Sequence, residues 1–152
     1  MDPLATLVRA DEQRAHRGFE LGPGDRVLQF SPSSFDAMVS EMVTAFGAAA
    51  TLVVPEETGI AGRELAELLH RERITNATLP PSVLATLEDM DGSDQLTGLA
   101  TLAVAGEACP PDVAARWAPG RRMINAYGPT ESTVGAAMSP LLTGREHSGP
   151  VP

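Results

Sequence analysis

The segment from Asn125 to Glu131 reads Asn-Ala-Tyr-Gly-Pro-Thr-Glu, and folding alone asks for only part of it. A turn needs Gly128 and Pro129. It does not need an amide, an aromatic ring, a hydroxyl and a carboxylate gathered around it, and those groups are the equipment of a nucleotide site. Tyr127 offers a flat face to a nucleobase, and Asn125 can read base edges. Thr130 can donate to a phosphate oxygen, and Glu131 can hold a hard divalent cation. The same residues also suit a structural role. A strand can leave the core through the Gly-Pro turn, with Tyr127 as packing and Thr130 as the N-cap of a short helix carrying Glu131 in its first turn. Residue types alone leave both readings open.

The elements around this segment must position it, and from Arg26 onward strand and helix patterns take turns. Residues 26–30 read as a strand after the turn Gly22-Pro23-Gly24-Asp25, and residues 35–49 carry a helical stripe at Val39, Met42, Val43 and Phe46. Residues 51–54 form a continuous apolar run closed by Pro55, as expected of a strand buried on both faces. A helix follows over 62–73 with Leu65, Leu68 and Leu69 on one side, then a strand over 75–79, and a helix over 82–90 started by Pro80-Pro81. Residues 91–98 form a polar, exposed connection. A strand over 99–105, a helix over 111–117 and a strand over 123–126 complete the series. Strands separated by helices imply right-handed βαβ units. The predicted fold is α/β: a flavodoxin-like three-layer α/β/α sandwich around a mostly parallel sheet. Ligands then bind beyond the carboxyl ends of the strands, where the Ser-Pro-Ser-Ser-Phe-Asp, Ala-Gly-Glu-Ala-Cys and Asn125–Glu131 loops gather.

Composition narrows the function. A chain of 152 residues suits one core, and 43% hydrophobic with only 4% aromatic residues suits an Ala, Leu and Val interior. A net charge of -9, with all 11 basic residues arginine, argues against nucleic acid. Cys109 is the only cysteine, so no internal disulfide forms, as in a reducing cytoplasm. His16, His70 and His147 have no motif spacing with it, and it reads as a small packing residue. No signal peptide or membrane span is apparent, and a cytoplasmic location is expected. No internal repeat is present.

Read in order, the loops resemble the amino-acid-adenylating domain of nonribosomal peptide synthetases, in the adenylate-forming superfamily. Ser-Phe-Asp-Ala-Met-Val-Ser-Glu-Met (34–42) is similar to the family's SFDxSVxEM segment. Ala-Thr-Leu-Pro-Pro-Ser (77–82) is similar to its TLPP turn, residues 101–109 to its strand and glycine turn, and residues 125–131 to its adenine motif. Four matches in sequence make the resemblance specific. It implies a parent enzyme that uses ATP and Mg²⁺ to activate an amino acid as aminoacyl-AMP before transfer to a carrier-protein thiol. The family's phosphate loop, ribose-binding aspartate, hinge and adenylation lysine have no counterpart here, and the chain has no lysine. It therefore reads as a central subdomain, with residues 1–25 as an N-terminal helix and turn, 26–139 as the recognition unit and 140–152 as an exposed C-terminal segment. Alone it is expected to bind poorly, with no cofactor held, and to do no chemistry, with no residue in a general-base role. Its expected partners are the rest of the domain, the amino acid and the carrier protein.

The resemblance assigns Asp36 to the substrate α-ammonium, while its place after Ser33-Ser34-Phe35 also makes it a candidate N-cap. It assigns the substrate pocket to Ala37, Ser40, Thr78, Ala103, Ala105, Ala126, Val134 and Gly135. These side chains are small, which implies a deep pocket and a large aromatic substrate, with Ser40 or Thr78 able to meet a polar tip. Small residues would equally let a helix approach the sheet. For the nucleotide, Gly106, Glu107 and Ala108 line the adenine, Asn125 meets its amino group and Tyr127 stacks on it; Thr130 contacts the α-phosphate and Glu131 ligates Mg²⁺. Two alternatives are a non-catalytic flavodoxin-like binding module and part of an acyl-CoA-type ligase. Asp36 argues against the latter, since an acid lacking an amine leaves that carboxylate unpaired.

Overall fold

A computed structural model describes residues 19–88, 96–127 and 137–143. The alternating pattern of the sequence becomes β1 (Arg26–Leu28), α1 (Ala37–Gly47), β2 (Thr51–Val53), α2 (Gly62–Arg71), β3 (Asn76–Leu79), α3 (Pro81–Glu88), β4 (Thr101–Val104), α4 (Pro111–Trp117), β5 (Arg122–Tyr127) and β6 (Ala137–Met138). The sheet order is β2-β1-β3-β4-β5-β6; the first five strands pair in parallel and β6 is antiparallel to β5. This is the expected α/β sandwich.

Handedness decides which helix covers which face. The step from β1 to β2 runs one way along the sheet and every later step runs the other way, so right-handed crossovers put α1 on one face and α2, α3 and α4 on the opposite one. The core respects this division. Leu28, Ala77, Leu79, Leu102, Val104 and Met123 join Leu65, Leu69, Leu84, Val113 and Trp117 in one buried cluster. All four residues of β4 are buried, which is why that strand reads as a nearly unbroken apolar run.

Several local readings change. Residues 51–54, expected to be a strand buried on both faces, supply the edge strand β2, with Thr51 exposed, Leu52 and Val53 half-buried and Val54 60% exposed, and Leu96, in the connection expected to be exposed, is buried in the core cluster. The stripe Val39, Met42, Val43 and Phe46 would normally turn inward, yet Val39 is 50% and Phe46 61% exposed. The buried residues of α1 are Glu41, Thr44 and Ala45. Ala45 and Ala48, both buried, have no side chain beyond Cβ, so this face can approach β1 and β2 closely. The helix ends also come earlier than the periodicity suggests. Ala49 (φ 53°) and Arg73 (φ 50°) are left-handed. That turn lets the Ala50 N–H reach the Ala45 carbonyl at 2.8 Å and the Ile74 N–H the Leu69 carbonyl at 2.9 Å, closing each helix in a Schellman arrangement.

At the other end, the exposure expected from residue 140 onward does not extend to Leu142. Its N–H donates to the Met123 carbonyl at 2.8 Å, and its side chain is buried in the core cluster.

Candidate functional site

The sheet order reverses between β1 and β3, because the chain leaves β1 for one edge and returns across it. Beyond the carboxyl ends of strands at such a reversal a crevice opens. The loop 29–36 leaves β1 beside it and Pro80 leaves β3, while residues 105–110 leave β4 on the same edge.

Asp36 stands at the N-cap position of α1, but its side chain makes no cap hydrogen bond. The capping role read from the sequence is not realised, and the backbone gives the reason. Asp36 is already helical (φ -65°, ψ -24°), whereas a capping side chain folds back from an extended residue. Its carbonyl accepts the Val39 N–H at 2.9 Å, yet its Oδ2 is buried with no hydrogen-bond partner among the described residues. A buried carboxylate oxygen in that state is costly unless a donor reaches it.

The strand register organises the residues predicted around it. Thr78 lies beside Ala103, and Ala103 beside Ile124. With alternating side chains, Thr78, Ala103, Ala105 and Ala126 share the face on which α1 lies. Ala37 and Ser40 follow Asp36 on the first turn of α1. Thr78, Ala105 and Ala126 are half-buried, whereas Ala103 has no solvent exposure, so its small size acts through packing. Val134 and Gly135 lie outside the described residues.

Of the predicted nucleotide residues, Asn125 and Tyr127 lie on the other face of β5. Asn125 pairs in register with Val104, whose side chain belongs to the α2–α4 core, and Tyr127 follows two residues later on the same side. The Asn125 backbone is held by Ser139, whose Oγ accepts its N–H at 3.0 Å and whose N–H donates to its carbonyl at 2.8 Å. Tyr127 is 58% exposed, and its ring is of the type that stacks on a base. Gly106 is left-handed (φ 84°), and an added Cβ would meet nothing within 4 Å, so conformation rather than crowding calls for glycine. Glu107 has a local partner: its carboxylate accepts the Ser82 N–H at 3.0 Å and the Ser82 hydroxyl at 2.7 Å. It thereby ties the loop after β4 to the electropositive start of α3. Ala108 is exposed beside it, and Cys109 is half-buried. Thr130 and Glu131 lie outside the described residues, and among those described no cluster of three His, Cys, Asp or Glu residues could hold a metal.

One residue that sequence reasoning passed over stands out. Glu41 on α1 is 4% exposed, and both its carboxylate oxygens accept the Ser31 N–H, each at 3.2 Å. Its Oε1 also accepts the Ser31 hydroxyl at 3.2 Å. Burial pushes its carboxyl from 4.5 up to about 7 against the opposing hydrogen bonds from Ser31 and Phe30. The one sequence signal for it is that Glu41 is the second acid, after Asp36, of the 34–42 segment.

A doubly covered parallel sheet with a switch-point acid and an exposed ring at the end of β5 defines an α/β ligand-binding domain, and comparison gives its family. The chain belongs to the AMP-binding enzymes, whose family model matches residues 3–151. Within them it is of the nonribosomal peptide synthetase adenylation type. It is 58% identical over 122 residues to the synthetase CymA of Salinispora arenicola, covering 80% of this chain and 2% of that protein. It is 50% identical over 118 residues to novobiocin biosynthesis protein H of Streptomyces niveus, covering 78% of this chain and 19% of that protein. The adenylation domain AlmE of Vibrio cholerae, solved with glycyl-adenosine-5'-phosphate, superposes with a TM-score of 0.81 at 26% identity over 95% of this chain and 28% of that one. The chain thus spans less than a fifth of the length of these two curated relatives.

Proposed function

We propose that this chain is the amino-acid-selecting and adenine-contacting part of an adenylation domain that activates a large aromatic amino acid with ATP. The observation that carries this reading is the buried, unpartnered Oδ2 of Asp36 at the switch-point edge. An α-ammonium supplies the charge-assisted donor this oxygen lacks, and a plain carboxylic acid does not. Thr78, Ala105 and Ala126 border the same face with small side chains, and Ala37 and Ser40 border it from α1; Val134 and Gly135 complete the assignment. This leaves room for a ring, with the hydroxyls of Ser40 and Thr78 available to a phenol.

The nucleotide belongs on the far side of the same edge. Tyr127 stacks on adenine, Asn125 meets its amino group, Gly106, Glu107 and Ala108 border it, Thr130 contacts the α-phosphate, and Glu131 holds Mg²⁺. ATP supplies the α-phosphorus that the substrate carboxylate attacks, with pyrophosphate leaving; AlmE, seen with an aminoacyl adenylate, supports that chemistry. The residues named here bind and orient, and none acts as a base. The product passes to a carrier-protein thiol.

The test is pyrophosphate exchange against all amino acids in a complete adenylation domain carrying residues 4–152. Phenylalanine, tyrosine or a substituted relative should be preferred, and Asp36→Ala should lower kcat/KM by roughly 100-fold, as expected for removing one partner of a desolvated charge pair. Preference for glycine, alanine or an acidic amino acid, or full activity of Asp36→Ala, would overturn the reading.

A further inference from the structure

We infer that Glu41 is a positioning residue for amine recognition: by gripping Ser31 it clamps loop 29–36 against α1 and so sets the place of Asp36. The inference rests on the proposed role of Asp36. Two facts make an external clamp necessary. The Asp36 side chain has no cap bond to anchor it, and its Oδ2 has no hydrogen-bond partner among the described residues. Its position is therefore inherited from its backbone, which is the junction between the loop and α1.

Glu41 spans that junction. It lies five residues after Asp36, on the buried side of α1, and takes the N–H and the hydroxyl of Ser31 from the start of the loop. The β1 end of the loop is fixed separately, by the Gln29 N–H on the Val53 carbonyl at 2.8 Å. The Phe35 N–H on the Pro32 carbonyl at 2.9 Å closes a turn between the two anchors. With both ends held and a turn between them, the loop has little freedom to relocate Asp36. Releasing Ser31 frees the segment that carries it.

Nothing about folding favours an acid at this place. Burial raises the free energy of the charged form, and the usual solution for the sheet-facing side of a helix is an apolar side chain. A buried carboxyl here is explained only by what its hydrogen bonds hold, and they hold the loop that ends in Asp36. A loosened Asp36 weakens the amine contact first, so the defect should appear as loss of discrimination for the amine.

The experiment compares pyrophosphate exchange by a complete adenylation domain carrying this chain, using its best amino acid and the corresponding des-amino acid. The variants are Asp36→Ala, Glu41→Gln and Ser31→Ala. Glu41→Gln keeps shape, volume and one acceptor oxygen but replaces the other oxygen that meets the Ser31 N–H with an N–H donor. It should raise KM for the amino acid at least tenfold, with a smaller change in kcat, and should lower the amino to des-amino ratio of kcat/KM by a similar factor. Ser31→Ala, which keeps the backbone bond, should move that ratio the same way by a smaller factor. A general packing defect would lower both substrates together and leave the ratio alone. If Asp36→Ala abolishes the ratio while Glu41→Gln and Ser31→Ala leave it unchanged, the clamp is overturned and the role of Asp36 stands. If Asp36→Ala leaves the ratio intact, the role of Asp36 falls and the clamp falls with it.

Discussion

Replacing Glu41 by glutamine should change how the stability of this chain depends on pH. The folded chain holds the Glu41 proton more tightly than the unfolded chain does, because burial raises the carboxyl from 4.5 to about 7. Its contribution to stability is therefore fully present below 4.5 and is lost as pH rises through about 7. The step from 4.5 to about 7 is worth about 3 kcal/mol, at about 1.4 kcal/mol per pH unit. Glutamine does not titrate, so the variant lacks this loss. The amide also loses one of the two acceptors shared by the Ser31 N–H, a cost of about 1 kcal/mol that is present at every pH. The difference in unfolding free energy between variant and wild type should thus shift by about 3 kcal/mol in favour of the variant between about pH 4.5 and about pH 8, whatever its absolute offset. Urea unfolding of both proteins across that range, with linear extrapolation, measures this difference while the titration of every other group cancels. Stability curves that stay parallel within about 1 kcal/mol would refute the claim that Glu41 is buried and proton-retaining.

Other consequences follow from named contacts. Asp36→Ala should change the stability of the chain by no more than about 0.5 kcal/mol, because no cap hydrogen bond is lost; a loss of about 1 kcal/mol or more in chemical denaturation would restore the capping role. Ala103→Leu should destabilise by about 1 to 3 kcal/mol, since this position is fully buried and has no room for three more carbons. In a complete domain the same change should lower kcat/KM for aromatic amino acids more than for small ones, read by competitive exchange. Ala49→Gly should stabilise the chain by up to about 1 kcal/mol, seen as a higher denaturation midpoint, because the left-handed closure of α1 strains alanine but not glycine.

The order and type of the elements were legible in the sequence because they rest on local patterns. Apolar runs such as 51–54 and 101–105 sit between stretches of helical period, and Gly and Pro mark the turns between them. The parallel sheet follows from that alternation, since strands joined through helices pair in parallel with one handedness. The motif letters also pointed to the carboxyl edge, where loops after β1, β3 and β4 meet. Local pattern does not determine which side of a helix faces the sheet when both sides could pack. In α1 the alanine side took the contact and Phe46 stayed outside, a choice set by how closely two surfaces can approach. Nor could spacing show that Asp36 begins α1 in a helical conformation and so fails to cap it, leaving an oxygen with no donor among the described residues. Glu41 was invisible for the same reason: an acid on a helix reads as solvated until the fold buries it and hands it the amide and hydroxyl of Ser31. Which polar groups lose water, and what replaces it, is decided by tertiary packing, because desolvation belongs to the assembled surroundings of an atom and not to its neighbours in the chain.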